Sequence, residues 1–200
     1  MVSNRVIEAM RKVPRDLFVP DEIRSRSYDD TPLPIGHGQT ISAPHMVAIM
    51  CDLLDLKPGM KVLEVGGGSG YHAAVMARLV EPEGHVYAVE IVPELAKQAM
   101  KNLRDAGIRN ITVIVGDGSK GLPDHAPYDR ISVAAAAPDI PGPLKDQLAK
   151  GGRMVIPVGA GFERLVLVTR TDGTTEEELM DVAFVPLVGE YGFKSRLNQD

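Results

Sequence analysis

The sequence predicts an α/β fold, a mostly parallel sheet that ends in a C-terminal antiparallel hairpin, and three observations carry that expectation. Strand-like and helix-like runs alternate through the middle of the chain, the rhythm of βαβ units and hence of a parallel sheet covered by helices. A buried-looking strand, Val62-Leu63-Glu64-Val65, runs into a glycine loop and then a helix. Near the end the rhythm breaks: 164–170 and 179–187 both read as strands, joined through the turn signal Thr171-Asp172-Gly173-Thr174-Thr175. Parallel neighbours need a crossover of about a dozen residues or more, so this last pair must be antiparallel and the sheet mixed.

Taken in order, Val6, Ile7, Met10 and Val13 recur at helical spacing before Pro14. A proline-punctuated stretch then runs through Pro20, Pro32 and Pro34 to Gly38, an N-terminal attachment that is partly loop. Ser42-Ala43-Pro44 reads as a helix start with proline in the first turn, and Val47, Met50, Leu53 and Leu54 give that helix its apolar face. Lys57-Pro58-Gly59 ends it. Strands are expected at 61–65, 85–90, 111–115, 130–134 and 153–158, with helices at 71–80, 93–106 and 143–150. The helix from Pro93 carries Leu95, Ala96, Ala99, Met100 and Leu103 on one side, and Gly107 is placed to cap its end.

A length of 200 residues suits one domain with one sizeable core. With 44% hydrophobic and 24% charged residues the chain falls outside the disordered, collagen-like and disulfide-stapled classes. No apolar run approaches the ~20 residues that cross a bilayer, and Met1 to Arg15 lacks a signal-peptide core, so a cytoplasmic protein with no membrane partner is expected. The single Cys51, set among Val47, Ile49, Met50, Leu53 and Leu54, reads as a buried structural thiol. A formal net charge of −5 and the lack of a Lys/Arg cluster argue against a nucleic-acid partner. Arg5, Arg11, Lys12, Arg15, Arg24 and Arg26 alternate with Glu8, Asp16, Asp21 and Glu22 and read as a solvated mixed-charge face.

The residues that carry chemistry start at Gly66-Gly67-Gly68-Ser69-Gly70-Tyr71. Glycines let the backbone turn tightly and approach a ligand, and the following helix presents N–H groups at its positive end. A dinucleotide fingerprint wants glycine at the first, third and sixth positions, yet the sixth from Gly66 is Tyr71. The Gly-Lys-Ser/Thr of a phosphate loop is absent too. Gly66, Gly68 and Gly70 instead match the pattern of S-adenosylmethionine enzymes. Glu90, at the end of the second core strand, is placed to accept hydrogen bonds from two ribose hydroxyls, and Asp117, between Gly116 and Gly118, can face an adenine edge. Glu64 can face the methionine amino group. Plainer readings stand beside these: a packing turn for the glycines, an exposed strand end for Glu90, an ordinary turn for Gly-Asp-Gly, a solvated carboxylate for Glu64. Convergence beyond the carboxyl ends of the strands favours a site. His37, His45, His72, His85 and His125 lack metal-ligand spacing, so no metal is expected.

Nearly the whole chain resembles the protein-L-isoaspartate O-methyltransferase family. Beyond the glycine loop the match includes Val13-Pro14-Arg15 with Phe18-Val19-Pro20, Pro32-Leu33-Pro34-Ile35-Gly36, Gly38 to His45, Ala135-Ala136-Ala137-Pro138, Gly151-Gly152-Arg153 and Ile156-Pro157-Val158-Gly159. The resemblance implies a Rossmann-like S-adenosylmethionine methyltransferase fold over a single domain, 1–200, with N-terminal substrate-side helices and loop at 1–56 and a cofactor-binding core at 57–200. It implies that Glu64, Gly66, Gly68, Ser69, Gly70, Glu90, Asp117 and Gly118 hold S-adenosylmethionine, which leaves as S-adenosylhomocysteine. Ser42, the implied catalytic position, and His45 lie by the isoaspartyl peptide, and Val158 touches it through its backbone. Two departures are visible. Gly67 stands where the family usually has threonine or serine, which removes a possible loop hydrogen bond. The chain also starts inside the family's N-terminal helical region, which implies a looser cover.

The implied reaction fits what the sequence lacks. A carboxylate with a reference pKa of ~3.9 is ionised at neutral pH and attacks a sulfonium methyl without a general base. The helix start at Ser42 is expected to orient it through the hydroxyl and free N–H groups. Isoaspartyl proteins and peptides are then the partners of a monomeric enzyme. The competing readings are a methyltransferase acting on tRNA or a small molecule, and a noncatalytic cofactor-binding protein.

Overall fold

The computed structural model describes residues 2–194. Residue 1 and residues 195–200, the ends of the expected domain, lie outside the described residues. Helix α1 (Asn4–Lys12) buries Val6 and Ala9, and two 3-10 turns (Arg15–Phe18 and Asp21–Arg26) follow it. Strands β1 (Leu33–Gly36) and β2 (Gln39–Ile41) pair antiparallel, and helix α2 (Pro44–Leu54) leads into the core. The core runs β3 (Lys61–Val65), α3 (Tyr71–Val80), β4 (His85–Glu90), α4 (Pro93–Asp105), β5 (Ile111–Val115) and β6 (Tyr128–Val133). It ends with α5 (Gly142–Asp146), β7 (Leu148–Val158), β8 (Glu163–Arg170) and β9 (Thr174–Val182).

These strands form one seven-stranded sheet in the order β5-β4-β3-β6-β7-β8-β9. Pairing is parallel from β5 through β7 and antiparallel for β7 with β8 and β8 with β9, the mixed sheet that the short final connection required. The chain builds outward from β3 to β5 and then returns to β6 on the other side of β3. That reversal is a topological switch point, and it opens a crevice beyond the carboxyl ends of β3 and β4. Side chains alternate across the sheet, so Val62 joins the core under α1, α2 and α3, while Leu63 joins the core of the opposite face with Ile131 and Leu144.

Several expectations need correction. The stretch from Pro32 to Gly38, expected as part loop, contains β1 and the turn of a hairpin, with Gly36, His37 and Gly38 at positive φ. The expected helix at 143–150 stops at Asp146, because Leu148 pairs with Tyr128 and begins β7. A register shift between Tyr128 and Arg130 absorbs the extra residues, with Gly151 at φ +79°. The last strand covers 174–182 instead of 179–187, since Arg170 pairs with Thr174 as soon as the turn closes. The N-cap of α2 is Ala43, without a side-chain bond, so Ser42 lies one residue outside the helix. Cys51 is buried, as its apolar neighbours implied.

Arg15 does not belong to a solvated face. It is 0% exposed, with Nε donating to Ser27 O at 2.7 Å and Nη2 to Ser42 O at 2.8 Å. Its guanidinium lies 4.8 Å from the centre of the Tyr71 ring, and Phe18 meets that ring edge-on. A cation buried this way must be fully occupied, and carbonyls plus an aromatic face do most of that here. The Val-Pro-Arg segment therefore ties the N-terminal turns to Ser42 and to the first residue of α3.

Candidate active site

A cleft at the switch point is walled by the loop after β3, the end of β4, the β2 segment from Gln39 to Ser42, and a late stretch, 185–188. The glycine loop acts through shape. Gly66, Gly68 and Gly70 all take positive φ, at +84°, +51° and +87°, where side chains are strained. Its donors are largely committed inside the protein: Gly66 and Gly67 N–H to Val89 O, Gly68 N–H to Glu90 Oε2, Gly70 N–H to Gly67 O. Gly70 lies outside the cleft lining, and a Cβ there would press on Ala99 and Leu103 at 3.3 Å, so its absence of side chain seats α3 against α4. Ser69 lines the cleft and its carbonyl accepts from the buried Asn102 amide at 3.0 Å. Gly118 lines it too, and a Cβ there would come within 2.6 Å of Val65.

Glu90 is buried at the end of β4 and its carboxylate is fixed from two sides. Gly68 N–H donates to Oε2 at 2.8 Å and Val92 N–H to Oε1 at 2.9 Å. A carboxylate accepts about four hydrogen bonds, so two lone-pair sites are left for a vicinal pair of hydroxyls. Glu64 is the opposite case. It is 0% exposed, which removes the solvated reading, and neither carboxyl oxygen has a hydrogen-bond partner among the described residues. Burial, with Glu90 adding like-charge repulsion, pushes its carboxyl well above the ordinary 4.5. His72 Nδ1 stands 3.4 Å from Glu64 Oε1, and burial lowers that imidazole to about 4. Burial thus disfavours the charged form of both groups, which works against an ion pair between them. Gly67 leaves space alongside: a Cβ there would lie 3.9 Å from Glu64 Oε2.

Asp117 lies outside the cleft lining. Its Oδ1 accepts from Ser119 N–H at 3.0 Å and Ser119 Oγ at 2.6 Å, and its Oδ2 from Glu190 N–H at 2.8 Å. Ser119 Oγ in turn accepts from Tyr191 N–H at 3.0 Å. These bonds hold the segment whose residues 185–188 wall the cleft, a wall that sequence reasoning missed because 179–187 read as one strand. The signal available was Pro186, which cannot donate to a ladder and speaks against one continuous strand to 187.

On the other side Ser42 lines both this cleft and an adjoining one that holds His45, Met46 and 182–185. The expected free N–H groups at the start of α2 are not free. Pro44 has none, Met46 and Val47 donate to Ala43 O, and His45 N–H donates to Asp30 Oδ1 at 3.0 Å. The His45 ring meets the same oxygen at 2.8 Å, and these two contacts hold the Asp30 carboxyl below its ordinary range. Asp30 already plays the anion at this helix end, while Ser42 lines both clefts. Val158 lines neither cleft: it pairs with Arg164 in β8 and bridges to Ala137. Among the described residues no cluster of His, Cys, Asp and Glu is arranged to hold a metal ion.

A sequence model of the protein-L-isoaspartate(D-aspartate) O-methyltransferase family matches residues 1–192. The chain belongs to that family. It is 66% identical over 193 residues to the protein-L-isoaspartate O-methyltransferase of Methanothrix thermoacetophila, covering 96% of this chain and 92% of the relative. The enzyme of Hyperthermus butylicus is 62% identical over 203 residues, covering 96% and 84%. A solved protein-L-isoaspartate O-methyltransferase superposes with a TM-score of 0.89 at 32% identity, over 96% of this chain and 63% of its own length, so this chain spans less than two thirds of that protein. A Plasmodium falciparum structure described as a protein-L-isoaspartate O-methyltransferase in complex with S-adenosyl-L-homocysteine gives 0.83 at 30% identity, over 94% and 92%. The sheet order, the terminal hairpin and the crevice are thus those of S-adenosylmethionine-dependent methyltransferases.

Proposed function

We propose that this chain is a protein repair methyltransferase that moves the methyl group of S-adenosylmethionine to the free carboxylate of isoaspartyl residues in damaged proteins and peptides. The observation that carries the reading is that two clefts adjoin across shared walls at Thr40, Ser42, Ala134 and Val185. One holds Glu64, the glycine loop and Glu90, the other holds His45, and Ser42 lines both. The family membership and the identities to enzymes of that name support the same acceptor.

The fixed carboxylate of Glu90 accepts two ribose hydroxyls. The buried carboxyl of Glu64, whose oxygens have no hydrogen-bond partner among the described residues, receives the methionine ammonium. Gly66, Gly68, Ser69 and Gly118 give the adenosine a close backbone surface, while Asp117 and Gly70 act indirectly, through the 185–188 wall and the α3–α4 contact. When bound, S-adenosylmethionine supplies an electrophilic methyl on a sulfonium sulfur. A new O–C bond forms at the isoaspartyl carboxylate while the C–S bond breaks and its electron pair returns to sulfur. No proton moves, so no base is needed. What the chain supplies is alignment and exclusion of water, with Ser42 Oγ donating to the attacking carboxylate and Arg15 holding Ser42 from behind.

The deciding experiment is transfer of labelled methyl to matched isoaspartyl and aspartyl peptides. Label should enter only the isoaspartyl peptide and leave as methanol in mild alkali. Label that survives alkali, or equal labelling of both peptides, removes this acceptor.

A further inference from the structure

Glu64 and His72 form a polar pocket floor that takes no part in the bond-making step. Glu64 sits on β3 in register with Ser132 of β6, so both side chains point to the same face of the sheet. Ser132 is 0% exposed and its hydroxyl, both oxygens of Glu64 and Nε2 of His72 are buried without hydrogen-bond partners among the described residues. Native interiors pair nearly all such atoms, so a cluster of four orphans beside a cleft needs an explanation. The titratable and charged groups facing Glu64 are His72 from α3, Glu90 from β4 and the Cys51 thiol from α2, with no cation among them in the described residues.

We propose that the Glu64–His72 floor makes cofactor binding proton-linked: Glu64 holds a proton in the free enzyme and gives it up to solvent when the methionine ammonium arrives. The inference rests on the placing of that ammonium at Glu64. In the free enzyme an ionised Glu64 would be an anion buried next to Glu90, with only the neutral His72 ring beside it and no cation among the described residues, so the neutral acid is the form that the site tolerates. On binding, the O–H bond of the acid breaks, its proton leaves to water, and the carboxylate accepts an N–H of the ammonium. Charge in the floor is thereby balanced. His72 stays neutral and acts as a positioning residue, its ring turning Nδ1–H toward Glu64 Oε1 once that oxygen is charged.

The sign follows from linkage. Glu64 has a raised carboxyl in the free protein and a lower one beside an ammonium, so binding releases a proton between those two values. Affinity therefore rises with pH over that window, by up to roughly tenfold per pH unit, and levels off above it. The same raised carboxyl means that Glu64's share of fold stability is fully present below 4.5 and is lost as pH rises through its folded value.

The test is calorimetric titration of S-adenosylhomocysteine into the full chain in buffers of different ionisation enthalpy, across about pH 5 to 8. Release approaching one proton is expected within that window, together with the rising affinity. Glu64→Gln should bind several-fold more weakly with no proton released at any pH. His72→Leu should weaken binding and move the window up, and His72→Asn, whose amide can take the place of Nδ1–H, should restore both. Binding with no proton exchange at any pH, or release that persists in Glu64→Gln, overturns the linkage while leaving the cofactor reading intact. Failure of S-adenosylhomocysteine to bind at all removes both.

Discussion

Two residues apart on β6, Arg130 and Ser132 end up in contrasting surroundings on the same face of one sheet. At the amino end, Arg130 is buried, yet its guanidinium donates to Leu54 O, to Asp129 O at 2.7 Å and to Asp55 O at 3.4 Å. Arg153 and Arg5 add donors to Leu53 O at 3.3 Å and Leu56 O at 2.9 Å, so each carbonyl from 53 to 56, at and just beyond the end of α2, meets an arginine. At the carboxyl end, Ser132, Glu64 and His72 are also buried, and the Ser132 hydroxyl, both Glu64 oxygens and His72 Nε2 have no hydrogen-bond partner among the described residues. A helix terminus capped by cations favours stability and also suits the dipole. An unpaired carboxyl costs stability and is retained where a ligand can complete it. The sheet is thus finished at one end and left open at the other.

Substitutions at three positions sharpen that contrast. The largest effect belongs to Glu90→Ala at the open end. Charge-assisted hydrogen bonds contribute about 1.5 to 3 kcal/mol each, so loss of two should weaken S-adenosylhomocysteine binding on the order of a hundredfold or more. Unfolding by urea should show a cost of about 1 to 2 kcal/mol, from the stranded N–H groups of Gly68 and Val92. Affinity unchanged in a folded variant would take Glu90 out of the site.

Arg130→Met at the finished end should behave in the reverse way. Buried carbonyls at 54 and 55 would lose their donor, at a cost of about 2 to 4 kcal/mol in urea unfolding, while calorimetry on the folded protein should give wild-type affinity. A variant that lost affinity and kept its stability would show that the two ends are coupled and the contrast false.

The smallest and most local effect is at Ser42. Because Ala43 is the N-cap, neither Ser42→Ala nor Ser42→Gly removes a cap, and both should unfold within about 0.5 kcal/mol of wild type. Both should lose about tenfold in methyl transfer to an isoaspartyl peptide, with cofactor affinity unchanged. Full activity in either variant ends the proposal that the hydroxyl touches substrate.

What the sequence disclosed and what it hid follow from the range of each signal. The bounds of β3, α3, β4 and β5 are read from local patterns, since hydrophobic period, glycines and flanking turns lie within a few residues of one another. Glu90 was placed for the same reason: its position in the strand fixes its position at the crevice. Burial of Arg15 was not legible, because its partners Ser27 and Ser42 lie 12 and 27 residues away and a charged residue among charged neighbours looks exposed. The same holds for Asp117, whose partner Glu190 is 73 positions distant. Glu64 illustrates a third limit. Its place in the motif was visible, but the lack of a cation around it among the described residues depends on what β6, α2 and α3 bring to one spot.

The tether from Asp117 to Glu190 has a consequence for how the enzyme is made. During synthesis the N-terminal parts emerge and organise first. A growing chain can therefore have its glycine loop and Glu90 in position while 185–188 are still inside the ribosome and the cleft lacks one wall. Competence to hold the cofactor therefore arrives only after residues 185–188 have been made and Glu190 has met Asp117.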